Sequence, residues 1–168
     1  MFQHILLPTD GSQLSRDTAE RAVAFAKAAN VKITALYAKP AGQASAERVG
    51  DLVEPAVLGR LVSGSVEKSK EYLGFIKNLC KNAGVECTTL AVVSDTPWEA
   101  IVNVAEGNDC DLIFMSKHGR GGLSSLLLGS ETCRVLTHSS IPVLVYRPPE
   151  LDADRRKAKA RERDRKKA

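Results

Sequence analysis

The sequence predicts an α/β protein, a doubly wound five-stranded parallel sheet with helices on both faces, on three observations. Strand-like apolar runs alternate with helix-period segments in the order β-α-β-loop-α-β-α-β-α-β, and right-handed crossovers turn that alternation into parallel strands covered on both sides. Asp111 to Met115 (DLIFM) is continuously apolar after its first residue, as a central strand buried on both faces requires. The chain of 168 residues, 43% apolar and 26% charged, has the size and composition of one soluble domain with a proper core.

Each element follows from local chemistry. His4 to Pro8 (HILLP) reads as a short buried strand, and Thr9-Asp10-Gly11-Ser12 leads into a helical pattern through Leu14, Thr18, Ala22, Phe25, Ala26 and Ala29. Lys32 to Ala38 (KITALYA) is the second strand. Lys39 to Gly59 holds two prolines, three glycines and no sustained period, which predicts a long surface loop of the kind that covers a site. From Arg60 to Ala83, the residues Val62, Val66, Leu73, Ile76 and Cys80 recur at the spacing of a helix with one buried stripe, stopped by Gly84. Glu86 to Val93 (ECTTLAVV) is the third strand.

Thr96-Pro97-Trp98-Glu99 has the form of a capping box. Thr96 is expected to accept from the third helical N–H while Glu99 reaches back, with Pro97 at the first position, where no donor is missed. That helix carries Ile101, Val102 and Ala105. After the fourth strand and a glycine-rich loop come a helix from about Ser130 to His138 and the strand Pro142 to Tyr146 (PVLVY). The last strand, within Ile141 to Arg147, is placed at a sheet edge because Pro142 lacks a ladder donor, and an apolar edge needs covering.

The net charge of +4 is concentrated at one end. Residues 149–168 hold nine Lys/Arg and five Asp/Glu, which leaves a neutral body over 1–148. A neutral body argues against a nucleic-acid-binding face on the domain. With Leu151 as its only large apolar side chain, the tail is expected to be a mobile or marginally helical extension, weak attraction to acidic partners being the alternative. Cys80, Cys87, Cys110 and Cys133 form no C-x-x-C pair and have no His partner at metal-ligand spacing, so buried free thiols are expected rather than a metal site. The opening MFQHILLPTD has no basic n-region, and no stretch approaches the ~20 apolar residues of a membrane span. The expected location is cytoplasmic, without membrane.

Ligands of doubly wound folds bind beyond the carboxyl ends of strands, where the strand order reverses. Two segments lie there: Pro8-Thr9-Asp10 after the first strand, and the stretch MSKHGRGGLSSLLLGSET (Met115 to Thr132) after the fourth. The stretch is not a G-x-x-x-x-G-K-[ST] loop, and Ser124 breaks the G-x-G-x-x-G pattern. What remains is Gly119, nine residues, and Gly129-Ser130 at a helix N-terminus, where free N–H groups and the macrodipole attract an anion. Glycines that only let the loop turn, with Ser130 as a simple N-cap, account for the spacing equally well.

LLPTDGS near the start, DLIFMSKHG, LLLGSETCRVLTHSSIPVLVYR at the end and the strand-helix order between them resemble the universal stress protein A family over roughly residues 2 to 147. The resemblance implies a Rossmann-like fold of the adenine nucleotide alpha hydrolase-like type. In that family's nucleotide-binding branch the loop reads G-x2-G-x9-G-[ST]; here Gly119, Arg120 to Leu128 and Gly129-Ser130 match, but Ser116 stands at the first glycine. The resemblance further implies ATP or AMP, with magnesium accompanying ATP. Adenine and ribose would lie against Pro8, Thr9, Asp10 and the backbone of Ala38, and phosphates against Ser116, Gly119, Gly129 and Ser130. Met115, Lys117, His118 and Glu131 would line the same crevice through neighbouring backbone.

Asp10 fits a ribose-hydroxyl or magnesium-linked carboxylate, or equally a cap on the first helix. Lys117 and Arg120 are candidate phosphate counter-charges, solvated loop charges being the plainer reading. At Ser116, strain in a left-handed backbone and a hydrogen bond to phosphate are expected to offset each other, so that Ser116→Gly leaves binding equal or tighter. The family also implies a homodimer through the last strand, with Val143 and Val145 near the contact, and a downstream protein partner. Two other functions are weighed: a nucleotide-free dimeric interaction module, favoured by Ser116, and a slow ATPase. No Ser-His-Asp or paired-carboxylate set is visible and His118 is the only histidine near the crevice, so slow hydrolysis is the most that is expected.

Overall fold

The computed structural model describes residues 1–39, 55–119 and 128–148, with side chains described outside 55–65. Its elements are β1 (His4–Pro8), α1 (Gln13–Ala29), β2 (Lys32–Lys39), α2 (Pro55–Ala83), β3 (Cys87–Val93), α3 (Pro97–Gly107), β4 (Leu112–Ser116), α4 (Ser130–His138) and β5 (Val143–Tyr146). The sheet runs β3-β2-β1-β4-β5 with every neighbouring pair parallel. This is the doubly wound α/β fold that the alternation of elements predicts. Strands β1 and β4 are neighbours at the centre, and the order reverses between them.

Burial on both faces explains the unbroken apolar runs. Ile5 and Leu7 of β1 join Ile33, Ile76 and Phe114 in a core layer with α1 and α2, whereas Leu6 joins Leu36, Ile101, Ile113 and Val135 in a second layer with α3 and α4. Successive strand residues point to opposite faces, so a strand between two layers is apolar at every position. At the amino end of the sheet, Asp111 accepts from the N–H groups of Gln3 at 2.7 Å and His4 at 2.9 Å. That carboxylate ties β1 to β4 where the ladder begins.

Helix α2 starts at Pro55, not Arg60, so five residues assigned to the predicted loop are helical; proline suits a first turn, where no intrahelical donor is missed. The buried stripe also differs from the expected one. Ser69, Tyr72, Leu73, Ile76 and Cys80 are buried, but Val66 is 40% exposed. A helix of 29 residues is about 43 Å long at 1.5 Å per residue, while the eight residues of β2 span only about 26 Å. The amino-terminal part of α2 therefore reaches past the sheet, which leaves Val66 partly exposed. The side chain of Val62, residues 40–54, Arg120 with the rest of 120–127, and the tail 149–168 lie outside what is described.

The capping box at α3 is corrected as well. Thr96 Oγ1 donates to Glu99 Oε2 at 2.8 Å instead of accepting from the helix, and the Thr96 N–H goes to Ser94 Oγ at 3.1 Å. The helix start is capped from elsewhere: Glu131 Oε2, in the first turn of α4, accepts from the Trp98 N–H at 2.9 Å. Of the thiols expected to be buried, Cys80 and Cys110 are, Cys87 is half-buried and Cys133 is exposed. Helix α4 buries Thr132 and Val135, which turns the adjacent Cys133 outward. Desolvation pushes the buried Cys110 thiol up to about 11.

Candidate functional site

The carboxyl ends of β1 and β4 meet, and the contact is close. A Cβ on Gly119 would lie 2.7 Å from Asp10 Oδ2, so the loop after β4 comes up against the Asp10 carboxylate of the loop after β1. Each loop is also built internally. Thr9 Oγ1 pairs with Ser15 Oγ at 2.7 Å and accepts from the Gly11 N–H at 3.2 Å. Asp10 Oδ1 accepts from the Ser12 N–H at 3.0 Å and from Ser12 Oγ at 2.7 Å, and Ser12 in turn caps α1 by accepting from Ser15. Gly11 has φ +75, and a Cβ there would run into the Tyr72 ring. The string TDGS is thus an Asx turn wound onto a helix start and pinned from outside by α2.

Asp10 therefore serves the local turn with one oxygen and faces Gly119 with the other. The cap on the first helix expected of Asp10 falls instead to Ser12, which Asp10 holds in place. Among the described residues no group of three His, Cys, Asp or Glu side chains is arranged to hold a metal ion.

On the β4 side, Gly129 is the N-cap of α4 with φ −64 and makes no side-chain cap; its N–H donates to the Lys117 carbonyl at 2.9 Å. Ser130 is accordingly the first helical residue and not the N-cap that the plainer reading expects. Gly129, having no side chain, supplies no cap of its own to α4, whereas α1 is closed by Ser12 and α3 by Glu131. The first-turn N–H groups of a helix are donors that an anion can satisfy. A Cβ on Gly129 would stand 3.0 Å from both Cα and Cβ of His118, so the helix start rests directly on the loop leaving β4.

Ser116 differs from expectation. Among the described non-glycine residues only Asn30 and Asp109 have positive φ, so Ser116 carries no left-handed strain. Its hydroxyl donates to the His118 carbonyl at 3.0 Å, and its own carbonyl accepts from Thr132 Oγ1 at 3.1 Å. Thr132, a buried residue that sequence reasoning missed, ties α4 to the end of β4; only its position one turn into α4, on the face shared with Val135, hints at that role.

The structure brings Pro8, Thr9, Asp10, Ser116, Lys117, His118, Gly119, Gly129 and Ser130 to one end of the sheet. Ala38 joins them at the carboxyl end of β2, where the Thr9 N–H donates to the Leu36 carbonyl at 2.8 Å. Lys117 is only 6% exposed, so it is not a solvated loop charge. Met115 packs into the α3 and α4 layer and Glu131 spends its carboxylate on Trp98, which leaves both to line the crevice through backbone alone. Among the described residues, His118 Nδ1 is buried without a hydrogen-bond partner.

A parallel α/β fold whose strand order reverses between an Asx-turn loop and a glycine-started helix has the architecture that binds small ligands at that reversal. The chain belongs to the universal stress protein family, whose profile it matches over residues 1–147. It is 31% identical over 155 residues to universal stress protein MJ0531 of Methanocaldococcus jannaschii, a match covering 90% of this chain and 86% of that protein. Universal stress protein MJ0577 of the same organism is 29% identical over 164 residues, covering 88% and 96%. The solved structure of MJ0577 superposes with a TM-score of 0.73 over 88% of this chain and 97% of that one. A crystal structure of a universal stress protein in complex with cAMP gives a TM-score of 0.64 at 25% identity, over 87% of this chain and 97% of that one. No helix among the described residues is long and apolar enough to cross a membrane.

Proposed function

We propose that this protein is a stress-response regulator that binds adenine nucleotide, ATP or AMP, in the crevice between the ends of β1 and β4, and that it acts as a cytoplasmic homodimer. The observation that carries this reading is the start of α4: a glycine N-cap seated directly on the loop of Lys117 and His118 at the carboxyl end of β4. The N–H groups and the dipole of a helix start suit phosphate. A relative of the same fold is crystallised with cAMP, which supports an adenine ligand.

In this reading phosphates meet Gly119, Gly129 and Ser130, and adenine and ribose lie along Pro8, Thr9, Asp10 and Ala38. Magnesium, when ATP is bound, is held through the phosphates, because one Asp10 oxygen is committed to Ser12. Hydrolysis is slow at most: His118 has no acceptor at Nδ1 to orient it as a base, and turnover is expected far below the ~10 s⁻¹ typical of enzymes.

Calorimetric titration of the full chain with ATP and magnesium, and with AMP, tests the reading. Heat of binding is expected from the parent and none from Gly129→Val, whose side chain displaces α4 from His118. Absence of heat with either nucleotide, together with no nucleotide in native mass spectra of freshly purified protein, would hand the reading to a nucleotide-free interaction module.

A further inference from the structure

One stretch of α2 holds the turn that follows β1. Glu71 Oε1 pairs with Arg16, in the first turn of α1, at 2.6 Å, and the Arg16 guanidinium lies 4.9 Å from the ring centre of Phe75. Between these two contacts Tyr72 lays its ring against Gly11, where φ is +75 and any Cβ would strike the ring. The same ring meets Tyr37 of β2 edge-on, with centroids 5.2 Å apart and planes at 88°. Both tyrosines are buried in the core layer of α1 and α2.

Gly11 is the point at which this turn would otherwise yield, because glycine reaches positive and negative φ about equally well. Inside the turn the Gly11 N–H donates to Thr9 Oγ1 at 3.2 Å, and the Ser12 N–H and Oγ donate to Asp10 Oδ1 at 3.0 and 2.7 Å. The acceptors are Thr9 and Asp10, two residues assigned to the ligand. A different φ at Gly11 would swing Asp10 away from Ser12 and break both bonds to Oδ1. An aromatic ring packed against Gly11 closes off those alternatives and leaves room for bare backbone alone.

We propose that Tyr72 is a positioning residue for nucleotide, an assignment that rests on the nucleotide-binding function proposed above: acting through Gly11, its ring holds the turn of Thr9 to Ser12 in the binding conformation before the ligand arrives. Order already present in the free protein does not subtract from the free energy of binding. Linkage is reciprocal, so nucleotide that fixes the turn also steadies α2 at Tyr72.

Amide exchange and calorimetry on the full chain test the proposal in the parent, Tyr72→Phe and Tyr72→Leu. Without ligand, the Gly11 and Ser12 amides of Tyr72→Leu are expected to exchange faster than the parent's. The Ile33 and Asp111 amides, bonded to the Glu86 and His4 carbonyls, are expected to keep the parent's rates. With ATP and magnesium, Tyr72→Leu is expected to bind roughly three- to tenfold more weakly, and Tyr72→Phe, which keeps the ring, close to the parent. A role in core packing alone would speed exchange in sheet and turn together and leave the affinity of the folded protein unmoved, and that outcome would overturn the proposal. Equal losses in the two variants would also overturn it, by locating the effect in the hydroxyl. Where Tyr72→Leu folds poorly, Tyr37→Leu, which unpins the same ring from β2, is expected to give both changes; parent-like exchange and affinity there would count against Tyr72 just as decisively. A parent that binds no nucleotide removes the proposed function and the role in binding with it, whereas the exchange rates still decide whether Tyr72 holds the turn.

Discussion

At Ser116 the backbone keeps an ordinary φ and the hydroxyl is spent on the His118 carbonyl, so a glycine there relieves no strain and removes a hydrogen bond. Ser116→Gly is therefore expected to bind nucleotide no more tightly than the parent, and weaker by up to about fivefold if the full ~1 kcal/mol of that bond is felt in the bound state. Parallel calorimetric titrations check this, and a clear gain in affinity would refute the assignment of the hydroxyl. Gly11 is the opposite case. Its positive φ and the Tyr72 ring both exclude a side chain, so Gly11→Ala is expected to lose about 1–3 kcal/mol of stability in chemical denaturation.

His4 sets a pH dependence at the same scale. Burial first, then the Lys32 charge, lowers its pKa below 6.5, against smaller raising effects of nearby carbonyls and Asp111. A lowered folded pKa means that the unfolded chain binds the proton more readily. The stability that depends on neutral His4 is present above 6.5 and declines as pH falls from there toward the folded value. Urea unfolding followed from about pH 7.5 to 5.5 is expected to show a shallower decline in His4→Gln than in the parent.

At the scale of elements, α3 and α4 are joined by a cap that belongs to both. Glu131 supplies the acceptor for the Trp98 N–H, and the Trp98 ring lies 4.4 Å from the ring of His138 at the far end of α4. Removing the carboxylate is expected to cost about 1 kcal/mol, as for other lost helix caps, and to lower the Tm by about 2–4 °C. Glu131→Ala should show that loss in thermal unfolding, and Glu131→Gln, which keeps an acceptor oxygen, should recover most of it. An equal loss in both variants would locate the effect in charge rather than in the cap.

At the scale of the whole molecule, β5 is an edge strand, and its side chains Val143 to Tyr146 are only partly buried. Unpaired edge groups favour association through a second copy, so the chain is expected to sediment at micromolar concentration as two chains, and Val145→Asp as one. A parent mass of one chain that does not change with concentration would remove the dimer from the proposal.

The alternation of apolar period was enough to read the elements, their parallel pairing and the central place of DLIFM, because two-sided burial leaves its mark on every residue of a strand. The glycine spacing likewise marked the loop and the start of α4. Sequence alone did not determine the roles of side chains whose partners are remote in the chain. Thr96 was expected to cap its own helix, but its hydroxyl donates to Glu99 and the helix start is closed by Glu131, 33 positions from the Trp98 N–H it accepts. Ser116 was a strained position by motif and an unstrained one by backbone angle. Val66 kept the helical period but fell where α2 extends past the sheet. Local pattern reports what each residue prefers; which partner reaches it first is decided only when the layers pack, and at Gly119 against Asp10 that packing is what brings two separate loops together.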